Sequence, residues 1–253
     1  MRRLNYEKVR ERIVSWIAKK VREGNAKGVV LGLSGGIDST VVAYLCNEAV
    51  GRRMTGLIMP EDFTPKNDVN DARIVAKSLK IKTYEIPIHS IVKAISTGSP
   101  WGSMAKIPLA NVRARVRMIL LYAYANQFSR MVAGTGDKSE ALLGYFTKYG
   151  DGGTDMFPIG DLYKSEVRQL GSHLGVPVQI VNKPSSPQLY PGHRAVDEIP
   201  ADYSVMDDLL YHLFELGRLP DTAAETRRLA KEINTMNRAS HHKRELPPIC
   251  RIR

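Results

Sequence analysis

The sequence predicts an α/β protein: one doubly wound parallel sheet with helices on both faces, in a single domain spanning 1–253. Three observations predict it. Short apolar runs of strand length alternate with longer stretches of helical period, which argues for a parallel sheet crossed over by helices. The first and fourth runs end in glycine turns and the second is stopped by a proline, as βα junctions require. Finally, 253 residues at 43% hydrophobic and 25% charged describe an ordinary globular chain, long enough for one large domain with a full core.

The elements follow in order. Tyr6, Val9, Ile13, Trp16, Ile17 and Val21 recur at helical spacing with charges between them, so 6–22 is a helix. Residues 28–33 are the first strand, and a helical pattern resumes over 40–49. Residues 54–59 read as a second strand, stopped by Pro60. Val69, Ala72, Val75, Ala76 and Leu79 share one face of a helix over 68–80. A short third strand occupies 83–86, a long helix 108–127, and a fourth strand 130–133. Lys164 opens a further helix over 165–174. Ligands of such sheets sit at the carboxyl ends of the strands. The loops beginning at Ser34, Pro60 and Gly134 are therefore expected to line one crevice. No repeat, low-complexity tract or linker divides the chain.

Composition excludes some classes. No apolar run approaches the roughly 18 residues of a membrane span, and the opening Met1-Arg2-Arg3-Leu4-Asn5-Tyr6-Glu7-Lys8 has no apolar segment of the kind that directs export. Cys46 and Cys250 are far apart and form no CxxC pair, which fits a reducing, cytoplasmic setting and offers no zinc site. The net charge of +11 is compatible with nucleic-acid binding, with a polyanionic substrate, or with a merely basic protein. Because the lysines and arginines are spread along the chain, charge does not decide among these.

The chemistry concentrates in Gly32-Leu33-Ser34-Gly35-Gly36-Ile37-Asp38-Ser39, where a strand runs through a glycine turn into a helix N-terminus. Glycines let the backbone approach closely, and the first helical N–H groups favour bound phosphate. No lysine follows the glycines, so this is not the loop that grips the β- and γ-phosphates of ATP in P-loop proteins. Asp38, a hard oxygen ligand suited to magnesium, and the hydroxyls of Ser34 and Ser39 stand there instead. A second strand–turn–helix, Gly134-Thr135-Gly136-Asp137-Lys138-Ser139-Glu140, repeats the geometry. Thr135 offers a hydroxyl. Glu140 is either a capping acid or, opposite Asp38, a second magnesium ligand. Residues 144–164 then combine glycines, aromatics, acids and Lys148 in one long polar loop, a composition of functional loops rather than of core. Lys164 can present a point charge to a phosphate.

The first turn resembles the pyrophosphate loop of the ATP pyrophosphatases, which cleave ATP between its α- and β-phosphates to adenylate a substrate. The chain as a whole resembles the ammonia-dependent NAD synthetases of the archaeal and bacterial type. Five motifs carry the likeness: the Gly-Leu-Ser-Gly-Gly-Ile-Asp-Ser loop; Asn111-Val112-Arg113-Ala114-Arg115-Val116-Arg117-Met118; residues 134–140; residues 144–164; and the tail His242-Lys243-Arg244-Glu245-Leu246-Pro247-Pro248. The resemblance implies an adenine nucleotide alpha-hydrolase-like fold. It implies that residues 32–39, Thr135, Lys164 and Ser185 contact ATP, and that Asp38 and Glu140 hold Mg2+. Arg115, Lys148, Asp155, His242 and Lys243 would contact deamido-NAD. It further implies a homodimer with the dinucleotide near the subunit interface, formed through a helix whose apolar face carries Val112, Val116, Leu120 and Tyr124. Asp38, Glu140 and Lys164 would carry catalysis. With no glutaminase domain in the chain, the nitrogen source would be ammonia, and neither nucleic acid nor membrane is an expected partner.

Two departures from the family pattern stand out. Ser185 occupies a position where many relatives have threonine, which keeps the hydroxyl, and residues 188–194 are more basic than usual. Helical geometry separates Arg113, Arg115 and Arg117, so one ligand contact and two solvated or ion-paired arginines are expected; the resemblance, not the register, selects Arg115. His242 is open to a role as base or as a ligand or tail anchor. Two rival functions remain at this point: a tRNA-modifying adenylating enzyme, and a non-catalytic adenine-nucleotide binding module, which would not need Asp38, Glu140 and Lys164 together.

Overall fold

The computed structural model describes residues 2–221 and 223–252, so Met1, the first residue of the basic opening segment, lies outside the described residues. Four parallel strands, β1 (Val29–Gly32), β2 (Met54–Ile58), β3 (Lys82–Glu85) and β4 (Met131–Val132), form one sheet in the order β3-β2-β1-β4. Val29 pairs with Met54 on one side and Met131 on the other, so β1 is central. The chain order reverses at β1, and the crevice expected there follows from that switch.

Ten helices surround the sheet: α1 (Tyr6–Glu23), α2 (Ile37–Val50), α3 (Lys66–Ser78), α4 (His89–Thr97), α5 (Lys106–Phe128), α6 (Lys138–Leu143), α7 (Lys164–His173), α8 (Val178–Val181), α9 (Tyr203–Phe214) and α10 (Ala224–Ala239) among the described residues. Side chains alternate across a strand, so β1 serves two layers. Val29, Leu31 and Leu33 join a core with α1, α2, α3 and α7, while Val30 joins a second core with α4 and α5. A third cluster, built from α6, α9 and α10 around Tyr163, buttresses the end of the sheet where the ligand loops emerge. No helix among the described residues is long and apolar enough to cross a membrane.

The expected elements are present with shifted ends. β4 is shorter than 130–133: its register with β1 ends at Val132, Ala133 N–H donates to the Val30 carbonyl at 2.9 Å while Ala133 also bridges to Met156, and the Asp155 carboxylate accepts the Val132 N–H at 2.7 Å. Helix α5 begins at Lys106 and α3 at Lys66, the latter behind Pro65.

One expectation is corrected. The face of α5 carrying Val112, Val116, Leu120 and Tyr124 does not point outward. Val116 is buried, the other three pack around it against the sheet, and Tyr124 Oη lies 3.1 Å from Thr55 Oγ1. In a two-layered α/β protein the sheet competes for the most apolar stripe of a covering helix, and here it takes it. The exposed stripe of α5 instead carries Ile107, Arg115 and Ile119.

Candidate active site

The three loops beginning at Ser34, Pro60 and Gly134 do line one cleft, at the carboxyl ends of β1, β2 and β4. Ser34 and Ser39 brace the first turn: their hydroxyls are 3.0 Å apart, and Gly36 N–H donates to Ser34 Oγ at 3.2 Å. Gly35 has φ +77°, and a Cβ there would lie 2.1 Å from the Asp68 carbonyl oxygen, so only glycine fits. No side chain caps α2, which leaves its first-turn amides to a ligand.

Beside this turn lies a charge cluster. Lys164 Nζ is 2.8 Å from Asp38 Oδ2, 2.8 Å from Asp137 Oδ2 and 3.0 Å from Glu140 Oε1. The lysine side chain is 1% exposed, against 23% for Asp38 and 24% for Glu140. Its backbone is fixed as well. Lys164 N–H donates to Ser139 Oγ at 3.0 Å, Ser139 Oγ donates to Asp207, and Asp207 Oδ2 accepts the Ser165 N–H at 2.7 Å. Asp137 caps α6 in a reciprocal box: its Oδ1 accepts the Glu140 N–H at 2.9 Å, and Glu140 Oε2 accepts the Asp137 N–H at 3.3 Å. Glu140 is therefore both capping acid and cleft carboxylate. Asp137, which no functional reading of the sequence selected, is the third carboxylate. Its signal was the Asp-Lys-Ser-Glu capping box itself.

Three carboxylates against one ammonium leave negative charge uncompensated in a partly desolvated site. Burial, reinforced by the neighbouring carboxylates, raises Asp137 and Glu140 above the usual carboxylate range, although Lys164 opposes the shift. Asp38 Oδ1 is buried with no hydrogen-bond partner among the described residues. Hard oxygen donors, an orphaned carboxylate oxygen and surplus negative charge fit a divalent cation such as magnesium.

The unfolded chain loses these protons near the ordinary carboxylate range, about 4, and the folded chain only at higher pH. Across that window the folded state binds more protons, so stability falls as pH rises. The raised Lys164 stays charged throughout and does not reverse the sign. Thermal melts of metal-free protein should therefore show Tm dropping as pH rises from the ordinary carboxylate range toward neutrality, and the drop should shrink when magnesium is added. A flat profile in the metal-free protein would contradict the charge surplus.

Every residue expected at ATP that bears a functional side chain, namely Ser34, Asp38, Ser39, Thr135, Lys164 and Ser185, lines the cleft, as does Glu140. Gly36 and Ile37 border an adjoining cavity that shares Ser34, Asp38 and Ser185 with the cleft. The residues expected at the dinucleotide line neither. Four of them form a linked group at the outer face: Arg115 Nη2 donates to the Lys148 carbonyl at 3.2 Å, Lys148 Nζ donates to the His242 carbonyl, and Lys243 Nζ donates at 2.8 Å to the Gly144 and Phe146 carbonyls. The His242 side chain is exposed, and its backbone anchors the tail. Asp155 stands apart, with Oδ2 on Val132 N–H and Oδ1 accepting Tyr122 Oη–H at 2.9 Å.

Residues 183–198 form the remaining wall, through Ser185, Gln188 and Leu189 among others. Lys183 Nζ ties this segment to the Gly35 carbonyl at 2.9 Å and to Asp68 at 2.6 Å. The unusually basic stretch is spent internally. His193 is buried, stacks on Tyr190 with centroids 3.8 Å apart, and its Nε2 lies 3.1 Å from Tyr145 Oη and 2.9 Å from Glu198 Oε2; Arg194 pairs with Asp197. Burial pushes the Cys46 thiol up to about 12, and Cys250 lies outside the cleft, so neither thiol is a nucleophile of this site.

Comparison with known proteins finds similarity over nearly the whole chain. A family model described as NAD synthase matches residues 9–247. An NH(3)-dependent NAD(+) synthetase from Archaeoglobus fulgidus is 48% identical over 252 residues, covering 99% of each chain. Among solved structures, an NMN synthetase from Francisella tularensis superimposes with a TM-score of 0.88 at 35% identity, covering 98% of this chain and 99% of that one. An NH3-dependent NAD synthetase from Campylobacter jejuni gives a TM-score of 0.84 at 32% identity, covering 98% of this chain and all of the other.

Proposed function

The chain belongs to the NAD synthase family, and from that premise we propose that it amidates deamido-NAD to NAD, using ATP and ammonia and releasing AMP and pyrophosphate. The observation that supports this most directly is the Lys164 ammonium held among Asp38, Asp137 and Glu140 beside an open glycine turn. A carboxylate resists ammonia because oxide does not leave. Transfer of AMP onto it makes a mixed anhydride whose leaving group is AMP, and ammonia then forms the amide.

Such chemistry asks the protein for placed cations and donors rather than for a covalent intermediate. The α2 amides, with Ser34 and Ser39, bind the departing pyrophosphate, and Lys164 places a fixed positive charge beside it. Ser185, Thr135 and the 183–198 wall hold the nucleotide and shield the anhydride from water. Asp38 and Glu140 are the residues that would hold magnesium, which when bound neutralises phosphate charge. Arg115, Lys148, His242 and Lys243, linked at the outer face, together with Asp155, would contact the dinucleotide where it extends beyond the cleft.

We propose further that the protein is a cytoplasmic homodimer of single-domain subunits. Its outer α5 stripe supports this, since Ile107 and Ile119 are 54% and 56% exposed on the face that also carries Arg115. The expected result on size-exclusion chromatography is a species of twice 28.2 kDa, and Ile119→Glu should convert it to monomer. A fully active wild-type monomer at micromolar concentration would remove the dimer.

The function is tested by pyrophosphate release with ATP, magnesium, ammonium and deamido-NAD. A tRNA-modifying enzyme would release pyrophosphate only with tRNA, and a binding module would release none. Glutamine should not replace ammonium, in keeping with the Archaeoglobus relative, which is named for ammonia and is matched over 99% of its length. The likeness to an NMN synthetase favours a second reading, in which nicotinate mononucleotide is the acid. Substituting it for deamido-NAD in the same assay distinguishes the two.

A further inference from the structure

Three arginines leave α5 within five residues and meet different fates. Arg113 Nε lies 2.8 Å from Glu61 Oε1, and its Nη1 donates to the Leu189 carbonyl at 3.0 Å. Arg115 is exposed and bonded to the loop backbone. Of the three, only Arg117 lines the cleft, and among the described residues it has a single hydrogen bond, from Nε to the Met59 carbonyl at 3.1 Å. A guanidinium carries five N–H donors in a planar fork. Among the described residues, no acceptor meets the four on Nη1 and Nη2.

The acids whose charge Arg117 feels are engaged elsewhere. Glu61 Oε1 is taken by Arg113 and its Oε2 lies 3.3 Å from His89 Nδ1, while Asp151 Oδ1 accepts the Thr147 N–H at 2.9 Å. The neighbouring cleft residues on α5, Ala114, Met118 and Leu121, offer only apolar surface or sulfur. Burial accordingly lowers Arg117 to about 10, whereas Arg2, which has a contact ion pair with Glu166, is raised. A half-used cation in an apolar wall is costly unless a ligand supplies the missing anion.

We infer that Arg117 is an oxyanion-binding residue of the cleft, closing its free fork on a carboxylate or phosphate of the bound substrates. The inference rests on the function proposed above. Met59 directly follows β2, and β2 and β4 flank β1 on opposite sides. Arg117 therefore works across β1 from the turn of Gly134 and the α6 carboxylate Glu140 beside Lys164. It fixes an anion at a second point, either the α-phosphate of ATP or an acidic group of deamido-NAD.

The test is calorimetric titration of Arg117→Met, Arg117→Lys and wild type with magnesium–ATP and, separately, with deamido-NAD, together with their Tm values. Loss of bidentate, charge-assisted hydrogen bonds should weaken binding of at least one nucleotide about 10- to 100-fold in Arg117→Met at unchanged Tm. Arg117→Lys should recover only part, because it keeps the charge and loses the fork. Loss confined to ATP identifies the phosphate, and loss confined to deamido-NAD identifies the acid substrate. Unchanged affinities overturn the inference, as does weakening that appears only with a lowered Tm in both variants, the mark of a structural cation. Should Arg117→Met fail to fold, Arg117→Lys decides by the same criteria. A wild type that binds neither nucleotide overturns the proposed function and the inference together, whereas normal wild-type binding with unaltered variants overturns the inference alone.

Discussion

Lys164→Met is expected to abolish deamido-NAD-dependent exchange of labelled pyrophosphate into ATP and to destabilise the protein by about 3–5 kcal/mol, the range for removing one partner of a buried ion pair. The side chain is 1% exposed and touches three carboxylates within 3.0 Å, so no water replaces the lost ammonium. Methionine fills the volume and leaves the acids facing one another. Asp137 and Glu140 then take up protons more readily, which softens the penalty at low pH and deepens it as pH rises. Denaturant unfolding at two pH values measures this. A stability loss under about 1 kcal/mol, the scale of an exposed pair, would mean that the cluster is better solvated than its geometry indicates.

Asp38→Asn is expected to act on activity and stability in opposite directions. The amide is nearly isosteric and keeps an oxygen near Lys164, but it is a far weaker ligand for a hard cation. Losing several kcal/mol of transition-state charge stabilisation corresponds to at least about a thousandfold in pyrophosphate exchange. Stability should hold or rise, because one of three crowded carboxylates becomes neutral and the orphaned Asp38 Oδ1 no longer carries charge. The readouts are exchange without ammonia and Tm in metal-free buffer. Near-normal exchange would remove Asp38 from the metal site. A clear fall in Tm would remove the charge surplus.

Much of this architecture was legible because it is written locally. The helix read over 6–22 is Tyr6–Glu23, and the strand read over 28–33 contains Val29–Gly32, since both rest on side-chain periodicity within one element. The ATP side of the site was legible for the same reason: strand, glycine turn and helix N-terminus are contiguous, so residues 32–39 announce an anion site before any tertiary contact is known. Helices α4, α8, α9 and α10 were not read. α8 has four residues, too few to establish a period, and α9 and α10 belong to a separate cluster beyond the glycine-turn motifs.

By itself, then, the chain's sequence determined the parallel α/β sheet, the crevice at its carboxyl end and the identity of the two glycine turns, because each depends on neighbours a few residues apart. Only the tertiary structure decided the rest. Asp137 becomes the third carboxylate because α7 delivers Lys164 to it across the third cluster, held by Ser139 and Asp207. Arg117 rather than Arg115 enters the cleft because the sheet claims the Val112–Val116–Leu120 stripe of α5, and that choice fixes the rotation of every other side chain on the helix. Helical spacing tells which residues share a face, but burial of apolar area, summed over all the elements packed together, chooses which face turns inward.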